Sequence, residues 1–496
     1  MRIRVHCDRV SDVAERPTRP ERTFFGQPRT LASLFGVEMW ERFSFYGMQG
    51  ILLIYLYYSV AEGGLGVDRA VATGIVGAYG GLVYLSTILG AWIADRVAGP
   101  ERVLFYAAVV VMLGHIALSA LPGLLGVGVG LVLIAVGSGG VKATATSLVG
   151  TLYETDDPRR DAGFSLFYLG INLGALVGPL LTGLLQDTAG FHWGFGLAAV
   201  GMALGLIQYT FGRKNLPDSA REVPSPLTPR ERTVAIAAAV AVAVVIVVLA
   251  LTGVLAADRL DLIVIGVTIV AAIAYFALLL TSRKVDKVER RRVLAFIPLF
   301  IASAAFWSLY QQQFTVLTIY SDTRLNRDLF GWEMPVAWVQ SINPVFIIIL
   351  SGVFTVIWTK LGNRAPSTPI KFALGVAIVG VGFLLFLPMA GGGPNSAPLL
   401  GIVGILFVFT IGELLLSPVG LSVSTKLAPE SYRTQMVALF FLSIALGTAL
   451  SGTLAGYYNA ANEVPYFGIL GAVAIGVGLL LLAITPLVRR LMSGVR

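Results

Sequence analysis

Residues 235–255 read AIAAAVAVAVVIVVLALTGVL, twenty-one residues without a charge. A helix needs ~20 predominantly apolar residues to cross the hydrocarbon core of a bilayer. Similar runs recur along the chain and predict spans near 31–59, 70–94, 103–121, 124–150, 163–187, 192–212, 233–255, 260–281, 293–320, 336–359, 369–390, 398–427, 435–458 and 465–488. Lipid offers a backbone no outside hydrogen-bond partner, so each run must be helical. Strands of a membrane barrel would alternate in polarity over ~10 residues, and no segment does. The 496 residues are 56% hydrophobic and 13% charged, whereas a soluble chain of this length divides into domains with charged surfaces. The expected class is an all-α integral membrane protein of about fourteen transmembrane helices.

The run at 235–255 has almost no polar group with which to line anything, so it is expected to face lipid. With 260–281 it forms a pair set between six helices and six. The expected organisation is a cytoplasmic tail (1–29), a six-helix bundle (30–212), a linker with a two-helix insert (213–291), a second six-helix bundle (292–490) and a short cytoplasmic tail (491–496). Of the 36 lysines and arginines, only Arg69, Arg259, Arg324 and Arg327 fall in loops after odd-numbered spans. Arg42 and Lys142 fall well inside spans, and the other 30 lie in the tails, in the opposite loops or, as Lys371 and Lys426 do, in the span ends next to those loops. This asymmetry predicts that both termini are cytoplasmic. It also accounts for the net charge of +8 without nucleic acid. Residues 1–29 hold seven arginines and no apolar core of signal-peptide length; they read as a tail drawn to anionic lipid or as a disordered leader.

One cysteine, Cys7, excludes an intramolecular disulfide, and three histidines leave little for a metal site. No cofactor is expected. The glycines at 126, 128 and 130 lie inside an apolar span with no Walker lysine, and no ATPase motif occurs elsewhere. Uphill transport would therefore draw on an ion gradient. The loop GAWIADRVAGPER, Gly90 to Arg102, resembles the signature of the Major Facilitator Superfamily through Asp95, Arg96, Gly99 and Arg102. Gly90 lies one residue further from Asp95 than that signature expects, and Lys360 to Arg364 echo the loop in the second half. Asp95 is suited to pair with an arginine near a helix end, and Gly174/Gly178 and Gly452/Gly456 to close helix contact.

A charge at the bilayer centre costs about 2.5–3.5 kcal/mol on insertion scales, so such residues are functional candidates. Five lie well inside spans: Glu38, Glu41, Arg42, Lys142 and Glu413. At about 100° per residue the first three share one face of span one, continued by Tyr46 and Gln49. Lys142, in GSGGVKATATS, needs a carboxylate, and Glu38 or Glu41 is the expected partner. Glu413 has Ser417 one turn away on its face. Buried pairs rarely add stability over apolar packing, so five charges are a costly scaffold. Three carboxylates against two cations leave one acid to take up a proton when its partner is engaged elsewhere, since burial and like charges favour the neutral acid and a nearby cation the charged form. Cations from the first half and an anion from the second suit a zwitterion, as peptides and amino acids are.

At these residues the sequence resembles the proton-dependent oligopeptide transporter family. EMWERFS (38–44) matches its E-x-x-E-R-F motif, and FYLGINLG (167–174) its F-Y-x-x-I-N-x-G signature. FWSLY (306–310), QSINP (340–344), and GELLLSPVGL (412–421) followed by KLAP (426–429) match its seventh, eighth and tenth core helices. The agreement runs from about residue 24 to 460. The resemblance implies a Major Facilitator fold of two six-helix bundles plus a two-helix insert. It further implies an importer of di- and tripeptides, by symport with protons, acting as a monomer in the plasma or inner membrane and not an enzyme. Arg42 and Lys142 would hold the peptide carboxylate, and Glu413 its amino group, helped by Asn172 and Asn343. Tyr46, Tyr84 and Tyr168 would supply hydroxyls, and Gln311 and Ser417 would complete the substrate-binding set. Glu38 and Glu41 would carry the proton and pair with Lys142, with Glu413 also in the coupling set.

Some positions depart from the family pattern. Gln311 stands where an acidic residue is usual, and Gln49 where many bacterial members have an arginine, so the gate ion pair becomes two amides. A Gln49–Gln311 hydrogen bond is the expected replacement. The family's second-helix histidine is missing, and His115 reads as a hydrogen-bonded packing residue. Phe45 replaces a tyrosine, Phe440 a tryptophan, and Ala-Thr the frequent Pro-Asn after Lys142. Rival readings are a carrier of nitrate, an amino acid or another small anion, a drug–proton exporter, and a non-transporting sensor.

Overall fold

The computed structural model describes residues 23–154 and 157–495. Most of the expected N-terminal tail and the last residue of the C-terminal one lie outside the described residues. The first half comprises α1 (Leu31–Tyr57), α2 (Arg69–Ile93), α3 (Pro100–Ala120), α4 (Gly123–Gly150), α5 (Arg160–Ala189) and α6 (Phe191–Gly212). Next come α7 (Pro229–Leu251) and α8 (Leu260–Thr281), then α9 (Lys287–Tyr310), α10 (Val316–Thr323), α11 (Ile342–Leu361), α12 (Thr368–Leu384), α13 (Leu399–Lys426), α14 (Arg433–Ala455) and α15 (Glu463–Leu491). Among the described residues, thirteen helical segments are long and apolar enough to cross a membrane. The remaining expected span, α1, is 27 residues long and carries Glu38, Glu41 and Arg42, which lower its hydropathy without shortening it. Two two-residue hairpins, Thr23–Phe24 with Gln27–Pro28 and Asp328–Leu329 with Trp332–Glu333, add small antiparallel pieces to the loops.

In the first half α1 packs against α5 and α6, α3 against α4 and α6, and α2 against α4. In the second, α12 packs against α13 and α15, and α9 against α14. The halves meet along α2 and α14, and where α5 meets α11 and the 3₁₀ turn Val336–Ser341. Glycine permits these meetings. A methyl group at Gly452 would sit 2.5 Å from the Thr73 carbonyl oxygen and 2.8 Å from the Gly77 Cα. At Gly178 it would run into the Phe43 carbonyl and sit 3.0 Å from the Gly47 amide. The helix α7 buries none of its residues against the protein, as its composition requires, whereas α8 lies on both α2 and α14. There the Thr453 hydroxyl donates to Asp261 at 2.5 Å.

The ninth span is not one helix. It breaks after Tyr310 into a 3₁₀ turn, Gln311–Phe314, and resumes as α10. The expected single span, 293–320, runs through this break, although three of its four residues are glutamine.

Asp95 makes no ion pair among the described residues, contrary to expectation. The neighbouring side chains do the work. Arg96 pairs with Glu231 at 3.0 Å and donates to Ser225 at 3.0 Å. The Ser225 and Leu227 amides donate to the Asp95 and Arg96 carbonyls at 3.0 and 3.2 Å. Glu101, nearly sealed from solvent, takes Arg213, whose guanidinium lies 4.0 Å over Phe105. The segment after α6 is therefore strapped across the α2–α3 turn.

One end of the inter-half space is closed. Tyr57 and Tyr58, at the end of α1, both donate to Asp322 of α10, each at 2.6 Å. Trp338 Nε1 donates to the Leu180 carbonyl at 2.9 Å, and Ser341 to that of Leu176 at 2.8 Å. Two outcomes follow from these contacts. Gly452→Val should lower the unfolding midpoint in detergent, by the ~1–3 kcal/mol typical of overpacking. Gly476→Ala, where an added methyl meets nothing within 4 Å, should leave the midpoint unchanged. Asp322→Ala removes the acceptor shared by both tyrosines. In a Cys7→Ser background, Gln313→Cys, which faces the inter-half space, should then react several-fold faster with an impermeant thiol reagent added from the Asp322 side. Unchanged labelling would show that the tyrosine contacts do not hold that end shut.

Candidate functional site

Three charges on α1 form the centre of the first half. Arg42 reaches back one turn to Glu38 at 2.8 Å and lies 3.1 Å from Glu41. The i,i+4 spacing of Glu38 and Arg42 makes the first contact local. Ser138 of α4 donates to Glu41 at 2.6 Å. All three charged residues are at most 3% exposed, and one carboxylate oxygen each of Glu38 and Glu41 has no hydrogen-bond partner.

Lys142 does not pair with either glutamate, which corrects the expectation. It lies one turn beyond Ser138, with its ammonium 5.0 Å from the Phe45 ring centre and 5.7 Å from that of Tyr84. Arg42 has taken both acids, and aromatic faces hold the remaining cation instead. Phe45, where the family more often has tyrosine, is one of those faces. His115 is buried with both ring nitrogens unpartnered; it packs, but without the expected hydrogen bond.

Between the halves lies a cavity of about 200 Å³. Eight of the ten expected substrate-binding residues line it: Tyr46, Tyr84, Tyr168 and Asn172 from the first half, and Gln311, Asn343, Glu413 and Ser417 from the second. Arg42 and Lys142 do not. They stand behind the wall, Lys142 against Tyr84. Among the described residues, Glu413 is the only charged side chain in the lining. Its carboxylate accepts a hydrogen bond from the Tyr310 hydroxyl, which also contacts Asn343 Oδ1 at 3.2 Å. Asn343 in turn donates to Thr410 at 2.9 Å. Tyr46 stacks on Phe314 across the halves, with ring centres 6.1 Å apart.

Tyr310 is the residue that sequence reasoning missed. It closes α9 where the helix breaks, next to three consecutive glutamines, and that polar run was the available signal. Trp307, Gln313 and Gln340 also line the cavity. Phe440 does not; it packs against Gly420 of α13. A second space of about 320 Å³ shares Tyr168, Glu413 and Ser417, and continues to Trp358 near the end of α11. The cavity thus leads away from the Tyr57–Tyr58–Asp322 closure.

The expected Gln49–Gln311 hydrogen bond is absent. Gln49 is buried with its carbonyl oxygen unpartnered, while Gln311 lines the cavity beside Tyr84. Hydrogen bonds between α1 and the ninth span are made two turns further on, by Tyr57 and Tyr58 with Asp322.

The chain is similar to known proteins over most of its length. The uncharacterized transporter YclF of Bacillus subtilis (strain 168) is 44% identical over 481 residues, covering 96% of this chain and 97% of its own. A di-/tripeptide transporter of Lactococcus lactis subsp. cremoris is 41% identical over 492 residues, covering 96% and 99%. The crystal structure of a peptide transporter POT in complex with sulfate superposes with a TM-score of 0.91 at 46% identity, covering 96% and 98%. Residues 101–473 match the sequence profile of the POT family. The chain is therefore a multi-pass membrane protein with the Major Facilitator fold, and it belongs to the POT family.

Proposed function

We propose that this protein imports di- and tripeptides together with protons, by alternating access, as a monomer in the cell membrane with both termini in the cytoplasm. The observation that carries the reading is the single charge in the cavity. A carboxylate, Glu413, faces a chamber otherwise lined by tyrosines, amides and apolar groups, and its complement is a substrate ammonium. Relatives named di-/tripeptide transporters, such as that of Lactococcus lactis, support the substrate class. An inorganic anion would meet Glu413 unfavourably.

In this reading Glu413 receives the peptide amino group, with Tyr310, Asn343 and Ser417 orienting the acid. Tyr46, Tyr84, Tyr168, Asn172 and Gln311 contact the backbone and side chains. Lys142 moves past Tyr84 to the peptide carboxylate, and Arg42 adds its charge from behind. Drawing a cation toward the substrate leaves Glu38 or Glu41 with less compensation, so a proton binds there; the unpartnered oxygen of Glu38, or the Glu41 oxygen that Arg42 gives up, is where it would sit. Substrate and proton uptake are then linked through shared cations. The halves 30–212 and 292–490 rock about the midplane site, and the linker and insert, 213–291, connect them. With the basic end cytoplasmic, the form described is open inward and closed outward.

Labelled dialanine should accumulate in proteoliposomes under an inward proton gradient. Glu413→Gln should cut that uptake at least tenfold while the protein stays folded. Undiminished uptake in this variant would overturn the assignment, and accumulation of an anion in place of peptide would overturn the substrate class. Tyr310→Phe removes only the hydroxyl that bonds Glu413, a charge-assisted bond worth ~1.5 kcal/mol or more. The peptide concentration for half-maximal uptake should rise by about tenfold, read from concentration curves against the parent.

A further inference from the structure

A third concavity, of about 680 Å³, lies at the ends of α11, α12, α13 and α15. Four cations converge on it from four segments: Arg364 from the α11–α12 turn, Lys371 from the first turn of α12, Lys426 at the end of α13 and Arg489 near the end of α15. Among the described residues, no Asp or Glu lines it. None of the four makes an ion pair within 4.0 Å among the described residues. Lys371 is held instead by an aromatic face, its ammonium 4.1 Å from the Trp358 ring centre, and it is repelled by Lys426. Ser367, the N-cap of α12, turns a buried hydroxyl oxygen to no partner. The first turn of α12 holds no acid, so the positive end of that helix dipole is also uncompensated.

Loop cations that set topology need only be numerous on one side. They need not meet in a pocket, where like charges without a counter-ion raise one another's energy. Here they meet around a polar floor with Trp358, Pro418 and Val419 as an apolar wall. Guanidinium forks and ammonium groups over the start of a helix are the donors that a phosphate takes. An apolar wall at the level of a helix end suits the glycerol and upper acyl region of a lipid.

The geometry points to a binding site for a phosphate-bearing anion in this pocket, either the headgroup of an acidic phospholipid or free phosphate. Arg364 and Arg489 grip the phosphate oxygens, Lys371 and Lys426 neutralise its charge, and Ser367 donates its hydroxyl. Trp358 and Pro418 line both this pocket and the space below Glu413, so an occupant abuts the wall of that space. The site is independent of which substrate the central cavity takes.

The test is the unfolding midpoint of the purified full chain in neutral detergent, titrated separately with dioleoylphosphatidylglycerol, dioleoylphosphatidylcholine and inorganic phosphate. A ligand that binds only the folded form raises the midpoint saturably. The expected result is a saturable rise of a few degrees with phosphatidylglycerol, none with phosphatidylcholine, and no rise in a Lys371→Gln/Arg489→Gln double variant. A response to inorganic phosphate alone, lost in the same variant, supports the anion site and assigns it to a soluble ligand. Equal responses of parent and variant, or no response to either anion, overturn the proposal. If the double variant does not fold, Lys426→Gln at the exposed mouth supplies the comparison, and an unchanged midpoint curve there counts against the site.

Discussion

A bilayer has no solvent for a charge, and the packing of the first half follows from that constraint. The cost falls only when a partner and hydrogen bonds are supplied on site. Glu38, Glu41 and Arg42 supply most of this for each other within two turns of α1, and Ser138 completes it from α4. The helix that carries them must then be covered, and α5 crosses it at Gly174 and Gly178, where backbones come close enough to exclude lipid. One cluster of charge thereby dictates which helix stands innermost and which of its neighbours must be small-faced.

The same constraint divides the chamber's two polarities. The acid of the second half is presented to the cavity, held by Tyr310, whereas the cations of the first half are kept behind aromatic rings. An exposed cation facing an exposed carboxylate across a cavity this size would attract it and close the space on nothing. Screening the cation behind Tyr84 and Phe45 keeps the two apart.

Span positions, the lipid-facing character of α7 and the cast of the cavity were legible because each depends on composition or on period along one helix. What was not legible depends on distances between helices. Lys142 and Arg42 carry the same charge, and only the fold reveals that Arg42 is nearer both glutamates and leaves Lys142 to the rings. Two glutamines suggest a hydrogen bond between their amides in a sequence, yet Gln49 and Gln311 turn to different surroundings. Asp95 looked like the acid of its loop, but Glu101 holds the arginine, since a carboxylate in the first turn of α3 faces the end of α6. The interruption at Gln311–Phe314 shows in the sequence only as three glutamines, which a continuous helix with one face on a cavity would carry as readily as a 3₁₀ turn. Tyr310 stands at the end of the helix before it, so missing the break meant missing the residue.

The placing of α8 has a mechanical meaning. Two bodies that rock against each other are displaced least along the line where they touch, and here that line includes the α2–α14 crossing with its glycine contact. The covalent thread from one half to the other is first strapped to the α2–α3 turn, and then laid over that same crossing by α8. A tether routed over a fulcrum changes length very little as the lever swings. The connection between the halves can therefore be packed against both of them without acting as a brake.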